Sequence, residues 1–166
     1  MIAARIEGGL VADGRIEAPD FEQLFRETSG GLFRAIYVFT GGRRDIAEEA
    51  TAEAFARAMA QDRLRDLVAW IYRTAFRIAV DEHRHQRRSG PLADIAVEPP
   101  EIHDLMSALR RLSPNQRAVV VLHHVEGFSL AEAATRMGIA SSTARVHLHR
   151  ARSKLQRLLS DQEPPS

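Results

Sequence analysis

The sequence predicts an all-α fold: two small helical domains joined by a flexible linker, the C-terminal one a helix-turn-helix. Three observations carry this. Apolar residues recur at helical spacing through most of residues 20–160, as in Leu67, Trp70, Ile71, Thr74, Ala75, Ile78 and Ala79. No segment alternates with the period of two that a half-buried strand requires. Helix start and stop residues sit where the periodic stretches begin and end.

The elements follow in order. Residues 1–19 hold Gly8, Gly9, Gly14 and Pro19 without a sustained period and read as a loose leader. Asp20 can cap a first helix carrying Phe21, Leu24, Phe25, Leu32, Phe33, Ile36 and Tyr37. Ser29-Gly30-Gly31 is expected to loosen its middle, and Gly41-Gly42 ends it. A second helix runs from about Asp45 to Ala60, anchored by Phe55 and lined by Ala47, Ala50, Ala54 and Ala58. Its first half carries four acids, which suit a helix N-terminus. A third helix, about Leu67 to Arg88, turns basic toward its end. Residues 89–100, Ser-Gly-Pro at one end and Glu-Pro-Pro at the other, read as the linker.

Beyond the linker, Ile102, Leu105, Met106, Leu109 and Leu112 form one helical stripe. Ser113-Pro114-Asn115-Gln116 is a strong helix start: cap, proline at the first helical position, and a reciprocal Gln. Ser129 and Glu132 make a second capping box, opening a short helix from Leu130 to Met137. Gly138-Ile139-Ala140 is a tight turn, and a last helix runs from about Ser142 to Leu159. The units are therefore 20–88 and 101–160, with 161–166 a frayed tail.

Short helix, glycine turn and long basic helix make a helix-turn-helix. In the long helix, Ala144, Leu148, Ala151, Leu155 and Leu158 form one apolar stripe. Ser142, Arg145, His149, Arg150 and Arg152 lie off it. Five bases and no acid fall between Ser141 and Arg157. Unbalanced positive charge on one helix is costly unless an anion meets it, and DNA phosphates are such an anion. Ser141, Ser142 and Thr143 are small enough to let the helix N-terminus approach a duplex. His147 and His149 fit phosphate or base-edge contacts. Neighbours in a His-x-His pair on a helix point about 200° apart, so neither His83/His85 nor His147/His149 is assigned a metal.

Composition excludes other classes. The chain has 166 residues, 45% apolar and 27% charged, with formal charge +1. That balance is neither histone-like nor that of an acidic disordered chain. Cysteine is absent, so thiol chemistry and cysteine-ligated metals are excluded. No apolar run approaches a membrane span and the start is too polar for a secretory signal, so a cytoplasmic location is expected and no membrane insertion. Gly-x-Ser-x-Gly, Walker, Gly-x-Gly-x-x-Gly and His-Glu-x-x-His motifs are all missing, so no enzymatic activity, catalytic residue or cofactor is expected.

The second unit resembles the C-terminal, −35-reading domain of bacterial RNA polymerase sigma factors. The resemblance rests on Ala108-Leu109, Leu112-Ser113-Pro114, Gln116-Arg117, Leu122, Glu126-Gly127-Phe128-Ser129, Glu132-Ala133-Ala134, Met137-Gly138-Ile139 and the run Ser142 to Arg152. Ala47-Glu48-Glu49 through Ala58 resembles the helix that binds the polymerase clamp. Trp70 to Ala75, with Asp81, Arg84, Arg87 and Arg88, resembles the helix that engages the −10 element. Two such domains alone are the layout of the extracytoplasmic-function (ECF) group.

The resemblance implies a transcription initiation factor whose partners are core RNA polymerase, promoter DNA and an anti-sigma factor. It implies −35 contacts from Ser141, Ser142, Thr143, Arg145, His147, His149, Arg150 and Arg152. It implies −10 contacts from Arg77, Asp81, Arg84, Arg87 and Arg88, and polymerase contacts from Asp45, Glu48, Glu49 and Glu53. Trp70 is expected in the core, Tyr72 is a possible stacking platform for an unpaired base, and the loop from Ala60 to Asp66 is where the family captures a flipped base. Ala52 and Arg77 stand where the family often has Gln and Asn. Two alternatives stay open: a sigma mimic that binds an anti-sigma factor, and a stand-alone helix-turn-helix regulator.

Overall fold

A computed structural model describes residues 20–61, 64–89 and 100–160, with side chains from 86 to 89 and at 100 and 101 left aside. The expected leader, linker interior (90–99) and tail lie outside the described residues. The described residues are all helical or connecting, with no strand. Seven α-helices appear: α1 Phe21–Phe39, α2 Arg44–Met59, α3 Leu67–Ser89, α4 Pro100–Arg110, α5 Pro114–Val120, α6 Leu130–Met137 and α7 Ser141–Ser160. A π-helical turn, Val121–Val125, extends α5.

Local chemistry sets the ends. The Asp20 carboxylate accepts from the backbone of Glu22 and Gln23. Both expected capping boxes are complete: Ser113 with Gln116, and Ser129 with Glu132. The Glu132 carboxyl is held below its usual range, first by the Ser129 backbone N–H and then by the Ser129 hydroxyl. Gly138 closes α6 in the left-handed region (φ 69°), which a β-carbon would strain.

One expectation is corrected. Helix α1 is continuous through Ser29-Gly30-Gly31. Two glycines cost a helix roughly 1 kcal/mol each relative to alanine. Leu24, Leu32, Ala35, Ile36 and Phe39 bury one stripe on both sides of them, which outweighs that cost.

Helices α1, α2 and α3 pack on one another, while α5, α6 and α7 form the second assembly with α4 against α7. The halves also pack together: α3 lies on α6, and α1 touches the π-turn and α4. The core of the first half therefore continues into Ala118, Val121, Leu122 and Ala133. A second cluster joins Met106, Leu109, Leu112 and Val119 to Ala134, Ala144, Leu148 and Ala151.

Polar links stitch this junction. Arg34 makes a two-pronged ion pair with Glu126, both contacts 2.8 Å, and the Glu126 side chain is only 3% exposed. Arg73 donates to the Thr135 carbonyl at the end of α6. Gly138 leaves room for this arm, since a β-carbon there would stand 2.7 Å from Arg73 Cδ. Arg117 donates to the Phe39, Arg110 and Leu112 carbonyls. The guanidinium of Arg136 lies 3.7 Å from the Phe128 ring centre and 5.3 Å from that of Tyr72.

Candidate nucleic-acid interface

The helix α7 is held by Ala144, Leu148 and Ala151, all buried against the second core, with Leu155 half-buried beneath. Fixing that stripe fixes what points outward. Of the expected −35 residues, Ser141, Ser142, Thr143, Arg145, His149, Arg150 and Arg152 are exposed and His147 is half-buried. They share one helix and its two flanks. No acid lies on α7.

Two basic residues of this helix have internal roles. Lys154 donates to the Arg111 carbonyl just past α4, so it caps a neighbouring helix end. Arg152 Nη2 lies 3.2 Å from His124 Nε2 on the π-turn. An arginine only donates, so this His124 nitrogen is the acceptor and the ring is neutral. Burial, then His123, then Arg152, push the His124 pKa below its ordinary value. His123 Nδ1 stands 2.7 Å from the Phe128 carbonyl, so this histidine of the pair packs inward.

On α3, Arg77, Asp81 and Arg84 are exposed, while the side chains of Arg87 and Arg88 lie outside the described residues. Trp70 packs half-buried against the first core, as expected. Tyr72 does not serve as a free stacking platform: it is buried, edge-on to Phe128 of the other half at 5.7 Å. Burial, then the Glu126 charge, push its hydroxyl up to about 12. The loop expected to capture a base spans residues 62 and 63, which lie outside the described set.

The acids of α2 are exposed, but three are countered locally. Arg43 pairs with Asp45, Arg44 with Glu48 and Arg57 with Glu53. Glu49 forms no ion pair among the described residues. Beside them, Phe25, Ser29, Gly30, Phe33, Glu48, Thr51 and Ala52 line an apolar groove of about 310 Å³ between α1 and α2. The Thr51 hydroxyl is buried there without a hydrogen-bond partner. Sequence reasoning missed this groove. Gly30 on α1 and Ala52 on α2, two small residues between large ones, are the only signal for it.

The described residues hold no group of three or more His, Asp or Glu that could bind a metal. No helix among them is long and apolar enough to cross a membrane.

The family model for sigma-70, region 4 matches residues 102–155, the stretch from α4 into α7. The ECF sigma factor EcfG of Rhodopseudomonas palustris is 30% identical over 76% of this chain and 78% of its own length. The chain belongs to the ECF sigma factors of RNA polymerase. Other sigma-factor relatives extend the match. The sigma-E factor of Streptomyces antibioticus is 30% identical, with 84% of each chain covered. BldN of Streptomyces coelicolor is 30% identical over 87% of this chain, which spans 62% of BldN. The sigma factor RpoE of Bartonella quintana, solved with the anti-sigma factor NepR, has the same fold: TM-score 0.69, 24% identity, 88% of this chain and all of that one. CnrH, solved with the cytosolic domain of CnrY, gives a TM-score of 0.63 at 25% identity, over 86% and 89% of the two chains.

Proposed function

We propose that this chain is a transcription initiation factor that binds core RNA polymerase and directs it to specific promoters by recognising −10 and −35 DNA elements. The observation that carries this is α7: an acid-free helix, clamped by a buried stripe, that turns Ser142, Arg145, His149 and Arg150 to solvent behind a glycine turn. In this reading α7 enters the major groove at −35. Arg77, Asp81 and Arg84, with Arg87 and Arg88, face the −10 strand. Asp45, Glu48, Glu49 and Glu53 meet a basic surface of the polymerase. Residues 20–88 and 101–160 are the two working units.

The halves must part for both elements to be read at once. Positions −10 and −35 stand about 25 base pairs apart, ~85 Å at 3.4 Å per step. A compact chain of this size has a radius of gyration of ~15 Å. With α3 packed on α6, the two DNA-reading helices lie far too close together to span that distance. The packed arrangement is thus the form away from the promoter, and polymerase holds the halves apart. Tethering then lets two individually weak surfaces act together. An anti-sigma factor is the proposed regulator; CnrH, similar along most of this chain, carries the cytosolic domain of CnrY in its solved structure. The protein acts in the cytoplasm and catalyses nothing itself.

Run-off transcription with purified core enzyme, on promoters selected from a randomised library, is the direct test. Selective initiation supports the proposal. Failure to bind core polymerase ends it, and tight palindrome binding without polymerase replaces it with a stand-alone regulator.

A further inference from the structure

The outward face of α7 has an apolar centre. Successive residues of an α-helix are rotated by about 100°. Val146 therefore lies ~200° from Ala144, almost opposite the buried stripe. Ser142 and Arg150 lie within about 40° of it, and His149 within about 60°. Val146 is 46% exposed and packs against neither core cluster. The other large exposed apolar residue of this helix, Leu159, sits in its last turn near the stripe side. The point of this polar, basic helix that stands opposite its buried stripe is thus a β-branched hydrocarbon.

Charge cannot explain this choice, nor can helix propensity, which ranks valine below most alternatives. The major groove offers one apolar feature to a protein, the C5-methyl of thymine. Valine has a single dominant side-chain rotamer in a helix, so its two methyls stand at fixed points and lose little freedom on contact. We propose that Val146 is a specificity-determining residue that reads the methyl group of one thymine in the −35 element. Arg145, Arg150 and His149 around it supply phosphate and base-edge hydrogen bonds. The proposal rests on α7 being the −35 reader and adds which base feature lies under its centre.

Holoenzyme made from the full chain would first select −35 sequences from a randomised promoter library. Each thymine of the selected element, on either strand, is then replaced by deoxyuridine, which removes only the methyl. Initiation rates are compared for wild type, Val146→Ala and Val146→Ser. Both substitutions are exposed and helix-compatible, so circular dichroism should match wild type. At one thymine the wild-type rate should fall about fourfold, the ~0.8 kcal/mol of one buried methyl at 1.4 kcal/mol per tenfold. The variants should initiate equally on thymine and uracil templates at that position. The inference is overturned if no thymine is methyl-sensitive, if the variants keep full methyl sensitivity, or if the selected element has no A·T pair. Selective initiation without methyl sensitivity sinks only the role of Val146. Absence of selective initiation sinks the promoter-reading function with it.

Discussion

Replacing Arg117 with methionine should destabilise the protein by about 3 kcal/mol. Arg117 is only 7% exposed. Its guanidinium donates to the Phe39 and Arg110 carbonyls at 2.9 Å each and to the Leu112 carbonyl at 3.2 Å. Phe39 and Arg110 end α1 and α4, so two of these acceptors are helix-terminal carbonyls without an intrahelical partner. Hydrogen bonds to a charged donor contribute about 1.5–3 kcal/mol each. Three at the low end sum to about 4.5 kcal/mol. Methionine recovers part of this, because a buried charge no longer has to be desolvated and the stem still packs beside Phe39. Urea unfolding followed by circular dichroism measures the difference. With a slope near 2 kcal/mol/M, the midpoint should fall by about 1.5 M. Arg117→Lys, which keeps the charge but not the planar fork, should fall between the two. A methionine variant within about 0.3 M of wild type would mean that water satisfies the three carbonyls and that Arg117 does not join α1 to the second half.

Three other outcomes are expected. Glu126→Gln should cost about 2 kcal/mol, since it removes a buried charge from a two-pronged pair whose arginine is more than half exposed; a double-mutant cycle with Arg34→Ala showing no coupling would refute the link. Arg145→Ala should lose about 1–3 kcal/mol of initiation free energy selectively at promoters with the preferred −35 sequence. An equal loss on all templates would make it a phosphate contact only. His124 has a depressed folded pKa, so its contribution to stability is present above its unfolded value near ~6.5 and declines as pH falls toward the folded pKa. Wild type should therefore lose more unfolding midpoint than His124→Gln between about pH 7.5 and 5.5, and identical losses would count against the neutral His124–Arg152 contact.

Much of the fold was readable before any coordinates. Ser113 with Gln116, Ser129 with Glu132, and Gly138 act through bonds spanning a few residues, so their chemistry is complete within the local sequence. The α7 stripe was equally plain, and with it the side of the helix left to solvent. The middle of α1 was not. Ser-Gly-Gly argues locally for a loosened turn, and only burial on both sides decides otherwise. The π-turn was also hidden, because Val121–Val125 reads as ordinary helix. Among the site residues, position along a helix gave exposure, but not partners. That Arg152 leans on His124, that Lys154 caps a neighbouring helix end, and that three α2 acids are matched by nearby arginines required the structure. Val146 carries no charge, so charge pattern does not mark it, although its place on the helical wheel does.

The sequence alone determined the helical class, the caps, and the acid-free recognition helix, because each depends on neighbours within a few residues or on a fixed rotation per residue. Tertiary structure decided that Tyr72 is buried and that Glu126 is a sunken anion held by Arg34, along with the seating of α3 against α6. Those facts join residues dozens of positions apart. Their energies come from excluding water between surfaces, and no local pattern records which surfaces will meet.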